Sequence, residues 1–162
     1  MKKQHLKVFS LLALLLGIAA TTSLFFEAFS YGGNKFSGFD LAFGKKLVEG
    51  SILGFEGDSK FAFNILLLLA LVLPVAGGIF TFVFNNQFGS LIGLLLFAIS
   101  AILLLTVKET TIISTVELLG NVSKRKTNVE IKLETLGIVS AVLGFVGAGL
   151  SGLKLGFDAT AK

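Results

Sequence analysis

Four long stretches of this chain lack the polar punctuation that a water-facing helix requires. They run from Val8 to Phe26, Phe61 to Phe84, Phe88 to Val107 and about Leu136 to Leu155, and the sole charge in them is Lys154, at the far end of the fourth. A bilayer's hydrocarbon core is ~30 Å thick and takes ~20 apolar helical residues to cross. All four runs meet that length. A soluble helix keeps one polar face, and these keep none. The pattern predicts four transmembrane helices at about 8–26, 61–84, 88–107 and 136–155.

Between the runs the pattern changes. Asn85–Asn–Gln–Phe–Gly89 is a tight turn, so the second and third helices are expected to be antiparallel neighbours. The other two connections, 27–60 and 108–134, are long and fall on one side of the membrane. Loops of this length in compact proteins carry structure of their own or are functional. In the first loop Phe39, Leu41 and Phe43 alternate with Gly38, Asp40 and Ala42. In the second, Val129, Ile131 and Leu133 alternate with Asn128, Glu130 and Lys132. A period of two gives a strand one apolar face. Thr110–Leu118 is rich in β-branched residues, and Gly120–Thr127 reads as a turn. The expected fold is therefore a membrane all-α four-helix transmembrane bundle, with a small extracellular β-sheet formed by the two long loops. Phe39, Leu41 and Phe43 are its candidate contact residues. The competing reading places Phe39, Phe43 and Leu47 on a short amphipathic helix lying on the bilayer.

The glycines add to the picture. Ser140, Gly144, Ala148, Gly152 and Gly156 recur every four residues in the fourth run, and Gly89 and Gly93 form a GxxxG pair in the third. Each glycine costs an exposed soluble helix roughly 1 kcal/mol relative to alanine. Inside lipid, where no hydrophobic effect drives helices together, small residues let backbones approach. These seven positions are the candidate helix-packing face, either within the chain or toward a second membrane protein. Pro74, followed by Gly77 and Gly78, predicts a kink in the second helix.

Composition narrows the function. Only 15% of residues are charged, against about 25% in globular proteins. Cysteine is absent, which excludes disulfides and thiolate metal sites. The net charge of +4 makes no case for nucleic-acid binding. No membrane-embedded carboxylate is expected, which argues against small multidrug exporters. The polar candidates in the interiors of the runs are Asn64, Thr81, Ser90, Ser100, Ser140 and the Thr21–Thr22–Ser23 cluster. The single histidine, His5, sits beside lysines in the N-terminal tail. Asp40, Glu49, Glu56 and Asp58 read as solvated loop charges, and Gly54–Lys60 lacks the ligand spacing of an EF-hand. No cofactor, metal or catalytic residue is implied.

Orientation signals conflict. With the N-terminus inside, five basic residues lie inside and nine in the loops outside. The first helix usually dominates, and its lysines precede it, so both termini are placed in the cytoplasm. The first run is read as an uncleaved signal anchor rather than a cleaved signal peptide.

Phe36–Lys46 followed by Phe61–Phe80 resembles a group of uncharacterised small four-helix membrane proteins of low-GC Gram-positive bacteria. The resemblance covers most of the chain and implies a fold, not an activity. The layout is also similar to that of claudins, without their tryptophan and paired-cysteine signature. The expected function is that of a non-enzymatic scaffold or accessory subunit. Its partners are the lipid bilayer and either another membrane protein or further copies of itself. The alternative is a small homo-oligomeric transport or pore-forming protein, its path lined by Asn64, Thr81, Ser90 and Ser100.

Overall fold

The computed structural model describes residues 2–52, 55–118 and 121–160. The element order is α1 (Lys2–Leu24), β1 (Glu27–Tyr31), β2 (Asn34–Ser37), α2 (Gly38–Phe43), β3 (Lys46–Ile52), β4 (Phe55–Phe61), α3 (Ile65–Val83), α4 (Gln87–Thr106), β5 (Glu109–Leu118), β6 (Asn121–Glu130), β7 (Lys132–Leu133) and α5 (Thr135–Thr160). Among the described residues, α1, α3, α4 and α5 are long and apolar enough to cross a membrane. They close a ring in which α1 and α4 each pack on both α3 and α5. Their outward faces are apolar, with Leu15, Val72, Leu95 and Val142 all exposed.

One sequence rhythm builds the ring. In α1 the buried positions are Ser10, Ala13, Gly17, Ala20 and Leu24. In α3 they include Leu67, Ala70, Pro74, Gly77 and Thr81, and in α4 Ser90, Gly93, Phe97, Ser100 and Leu104. In α5 they include Gly137, Ser140, Gly144, Gly147, Ser151 and Lys154. Each series steps by three and four in turn, the 3.5-residue repeat of helices that interlock side by side. Most of these residues are small, so the backbones meet closely. A Cβ on Gly144 would touch Ala101 of α4 at 3.1 Å, and one on Gly147 would lie 2.6 Å from the Phe97 ring.

Pro74 sits in the middle of α3. It cannot donate to the carbonyl of Ala70, four residues back, and its ring crowds that turn. Two hydroxyls from neighbouring helices fill the gap. Ser100 of α4 donates to the Ala70 carbonyl at 2.8 Å, and Thr21 of α1 donates to the Leu71 carbonyl at 2.8 Å. A third, Ser140 of α5, donates to the Ala20 carbonyl of α1 at 2.8 Å. Gly17 lies directly against the Pro74 backbone, where any side chain would collide.

The loops fold into two sheets rather than one. A three-stranded sheet has the order β2-β1-β7 and a four-stranded sheet the order β3-β4-β5-β6, and each combines strands from both loops. Tyr31–Asn34 makes the β1–β2 turn, where Gly32 and Gly33 take φ of 58° and 83°, as a two-residue hairpin turn of this kind demands. The expected turn over 120–127 is corrected: Asn121–Glu130 is a continuous strand paired with β5 along its length. Val129 lies near the end of that strand, Ile131 is buried, and Leu133 belongs to the other sheet, opposite Phe29.

The strand expected through Phe39, Leu41 and Phe43 is also corrected. Gly38–Phe43 is a helix, started by a capping box in which Ser37 accepts from the Asp40 backbone and Asp40 accepts from the Ser37 backbone. On a helix, residues four apart share a face and the one between them points away. Leu41 is accordingly buried, while Phe39 and Phe43 are exposed. Leu47, assigned to the same helix in the competing reading, lies on β3.

Ser100→Ala is expected to destabilise the protein by about 1 kcal/mol, because the Ala70 carbonyl loses its partner. In a Pro74→Ala background that cost should shrink, since alanine restores the backbone N–H. Thermal unfolding in detergent, run as a double-mutant cycle, measures this. Additive effects would disprove the link between Ser100 and the proline gap.

Candidate functional site

Two groups of chemically capable side chains lie at opposite ends of the bundle. The first is a cleft between the sheets. It has a volume of about 610 Å³ and is lined by Tyr31, Gly32, Asn34, Lys35 and Phe36 from one side, and by Lys45, Lys46, Leu47, Ser59, Ile112 and Ser114 from the other. The register explains the lining. Ser59 pairs with Ser114 and Phe61 with Ile112, so these four share one face of the sheet. Asp58 and Lys60 alternate to the other face. Among the described side chains, three lysines and no carboxylate line the cleft.

The lysines are held at its rim. Lys45 pairs with Asp40 at 3.2 Å and stands 6.0 Å from the Phe36 ring centroid. Lys35 pairs with Glu27 at 3.4 Å. The Ser59 and Ser114 hydroxyls are 3.0 Å apart. Below the cleft lies the core that joins sheets to helices, where Phe36 and Phe61 meet edge to face at 5.1 Å, with Leu24, Phe29, Leu41 and Leu67 in the same cluster.

Beside the cleft runs a chain of exposed rings. Phe25 stacks on Phe39 at 5.8 Å, Phe39 meets Phe43 at 4.5 Å, and Phe43 meets Phe63 at 6.4 Å. These rings come from the end of α1, from α2 and from the approach to α3. The sequence marked Phe39 and Phe43 as contact residues, and the structure brings them together here. Leu41 it assigns to the core instead.

The second group is at the other end, among Ser90, Lys154 and Asp158. Lys154 is fully buried and donates to the Ser90 hydroxyl at 3.0 Å. Its ammonium is 3.5 Å from the Asp158 carboxylate, one turn along α5. The Ser90 hydroxyl is within reach of Asp158 at 3.3 Å and of the Asn86 carbonyl at 3.0 Å. Nearby, Ser10 of α1 donates to the Asn85 side chain at 3.1 Å, and Phe9 stacks on Phe157 at 5.8 Å. The group therefore ties α1, the α3–α4 turn, α4 and α5 together. The span expected over about 136–155 lies within α5, which continues to Thr160 and carries Asp158, its side chain 10% exposed, at the bundle end. The Lys–Asp spacing of four was the available signal.

The candidate packing face is placed within the chain. Gly89 and Gly93 face α3, Ser140 reaches α1, and Gly144 and Gly152 face α4. Ala148 is half-buried and Gly156 exposed. A four-residue step overshoots a helical turn by about 40°, so the stripe winds off the inner face, and Gly137, Gly147 and Ser151 complete it instead. The polar candidates are engaged too. Asn64 caps α3, accepting from Leu66 and Leu67, and Thr81 donates to the Gly77 carbonyl and lies 3.3 Å from Ser151. Of the loop carboxylates, Asp40 serves the α2 cap, Asp58 lies on the face of β4 away from the cleft, and the side chains of Glu49 and Glu56 lie outside the described residues. Among the described residues no group of three metal-ligating side chains gathers. No family model matches this chain, and neither a curated protein nor a solved structure matches it.

Lys154→Met is expected to cost about 3 kcal/mol, since it strands the Asp158 carboxylate in an apolar setting. Replacing both, as K154M/D158L, should recover most of that loss. Thermal unfolding in detergent distinguishes this from independent contributions, which would simply add.

Proposed function

We propose that the chain is a non-enzymatic, multi-pass membrane protein that serves as a scaffold or accessory subunit, presenting a two-sheet head to a partner outside the membrane. Four apolar helices with apolar outward faces support insertion. An even number of spans puts both termini on one side, opposite the head, and the lysines ahead of α1 support placing that side in the cytoplasm. The exposed rings of Phe25, Phe39, Phe43 and Phe63 then lie at the interface between lipid and water.

The observation that carries the docking role is β6. Among the described residues it is an edge strand, paired on one side only, and its residues 121–128 are all exposed. A free edge offers backbone donors and acceptors to an incoming strand. Lys124, Arg125 and Lys126 on that strand discourage self-pairing and favour an extended acidic segment. Five of the seven helix-packing residues meet neighbouring helices of the same chain, which supports the head as the contact surface. Thr81, Ser90 and Ser100 also bond inside a single bundle, an arrangement that supports the scaffold reading over a polar path shared between copies.

The test is site-specific photo-crosslinking from β6 in intact cells, combined with gentle purification at native expression. A partner cross-linked through an acidic segment at fixed ratio is expected, and K124E/R125E/K126E should abolish it while membrane insertion persists. Retention of the same cross-link by the charge-reversed chain would overturn the edge-strand role. A chain that purifies alone as a ring of identical copies would replace it with the pore reading.

A further inference from the structure

We propose that the cleft between the two sheets binds the phosphate of an anionic lipid headgroup. This rests on the membrane insertion described above, and not on the docking role of β6.

The chemistry of the lining selects an anion. Lys35, Lys45 and Lys46 contribute three ammonium groups to the lining; Lys35 and Lys45 are held in solvent-exposed ion pairs with Glu27 and Asp40, a kind of pair worth only ~0–1 kcal/mol and one that a phosphate can displace. Asp40, the ion partner of Lys45, also accepts from the Ser37 backbone at 3.2 Å, so its charge is shared with the α2 cap. Two serine hydroxyls carry two protons, and the Ser59–Ser114 bond uses one. The other remains for a phosphate oxygen. The volume of about 610 Å³ is within the range that holds small ligands, and the mixed lining of Phe36, Leu47 and Ile112 with these polar groups suits a headgroup that is charged at one end and esterified at the other.

Position selects a lipid. Lys45 follows the end of α2 by two residues, and α2 carries Phe39 and Phe43 in the exposed ring chain. Lys45 therefore sits next to the aromatic level, near which headgroup phosphates lie. Basic groups directly above an apolar face are the recognised pattern for anionic lipid.

The experiment uses the full chain reconstituted in nanodiscs of mixed phosphatidylglycerol and phosphatidylcholine, after extraction has shown that it resists alkaline washing of membranes. Lipid retained through detergent exchange is then counted by native mass spectrometry. Wild type should keep phosphatidylglycerol over phosphatidylcholine by about ten-fold or more, given the contribution of each lysine near a charged surface. K35Q/K45Q/K46Q should lose that preference. Lys46 has contacts of its own within the fold, so K35Q/K45Q, expected to lose most of it, provides a second variant. K124Q/R125Q/K126Q, which removes equal charge from β6, should leave the preference intact. Equal loss in both triple variants would reduce the effect to diffuse charge and overturn the site, as would no preference in wild type. Inorganic phosphate that binds the delipidated chain and displaces the lipid would overturn the lipid assignment in favour of a soluble phosphate ligand. Failure in any of these arms leaves insertion standing, because the alkaline wash tests it separately.

Discussion

A backbone carbonyl without a donor is the most demanding group in an apolar surrounding, and Pro74 creates one in the middle of α3. The remedy requires three helices at once. Ser100 must arrive from α4 and Thr21 from α1, both to within hydrogen-bonding distance of a backbone, and Gly17 must let α1 come that close. Small residues on a 3.5-residue repeat are the means. They hold all four helices at separations where a hydroxyl on one reaches a carbonyl on the next, as Ser140 and Ala20 repeat between α5 and α1. Close packing and polar satisfaction are thus one requirement met by one set of residues.

The head inherits its placement from that bundle. The end of α1 feeds β1, and the start of α5 follows β7, so the pairing of these strands is fixed where the two helices already touch. The Glu134 backbone donates to the Ala28 carbonyl at 2.9 Å, and Gly137 sits where a Cβ would lie 2.6 Å from the same carbonyl. The larger sheet is tied in through its own strand ends. Ala62 donates to the Thr111 carbonyl at 2.7 Å, and Asn64 donates to the Ala42 carbonyl at 3.0 Å. The two sheets are anchored at different helix ends, and the cleft is the space between them.

Hydropathy made the helices legible, because lipid-length apolar runs have few other meanings. Their ends were harder. The run from Phe61 hides a change from strand to helix, since Phe61 and Phe63 are as apolar as the first turns of α3, and Asn64 read as a polar residue within a span although it is an N-cap. Phe39, Leu41 and Phe43 fit both periods over so short a stretch. The deciding signal was Ser37 with Asp40, a capping box that outweighs three alternating residues. The glycine stripe was read at a constant four-residue step, but helices that interlock alternate three and four, and that seam appears only when serines, alanines and Lys154 are counted with the glycines. The cleft was not legible at all. Its lysines are close in sequence, yet Ser59 and Ser114 meet through a strand register that no local pattern encodes.

Where interaction capacity remains unused bears on function. At the end opposite the head, Ser10, Asn85, Ser90, Lys154 and Asp158 satisfy one another across the helices. Midway, the proline gap is closed. The inner seam is filled, and the outward faces are apolar. In the head the balance differs. Among the described residues strand β6 pairs along one edge alone, and three lysines stand at the rim of the cleft, two of them in exposed ion pairs. A bundle that completes its own bonding can carry such a head without depending on whatever binds it. In the proposed role, recognition is built on charge and edge geometry in the head, while stability is secured by the helices.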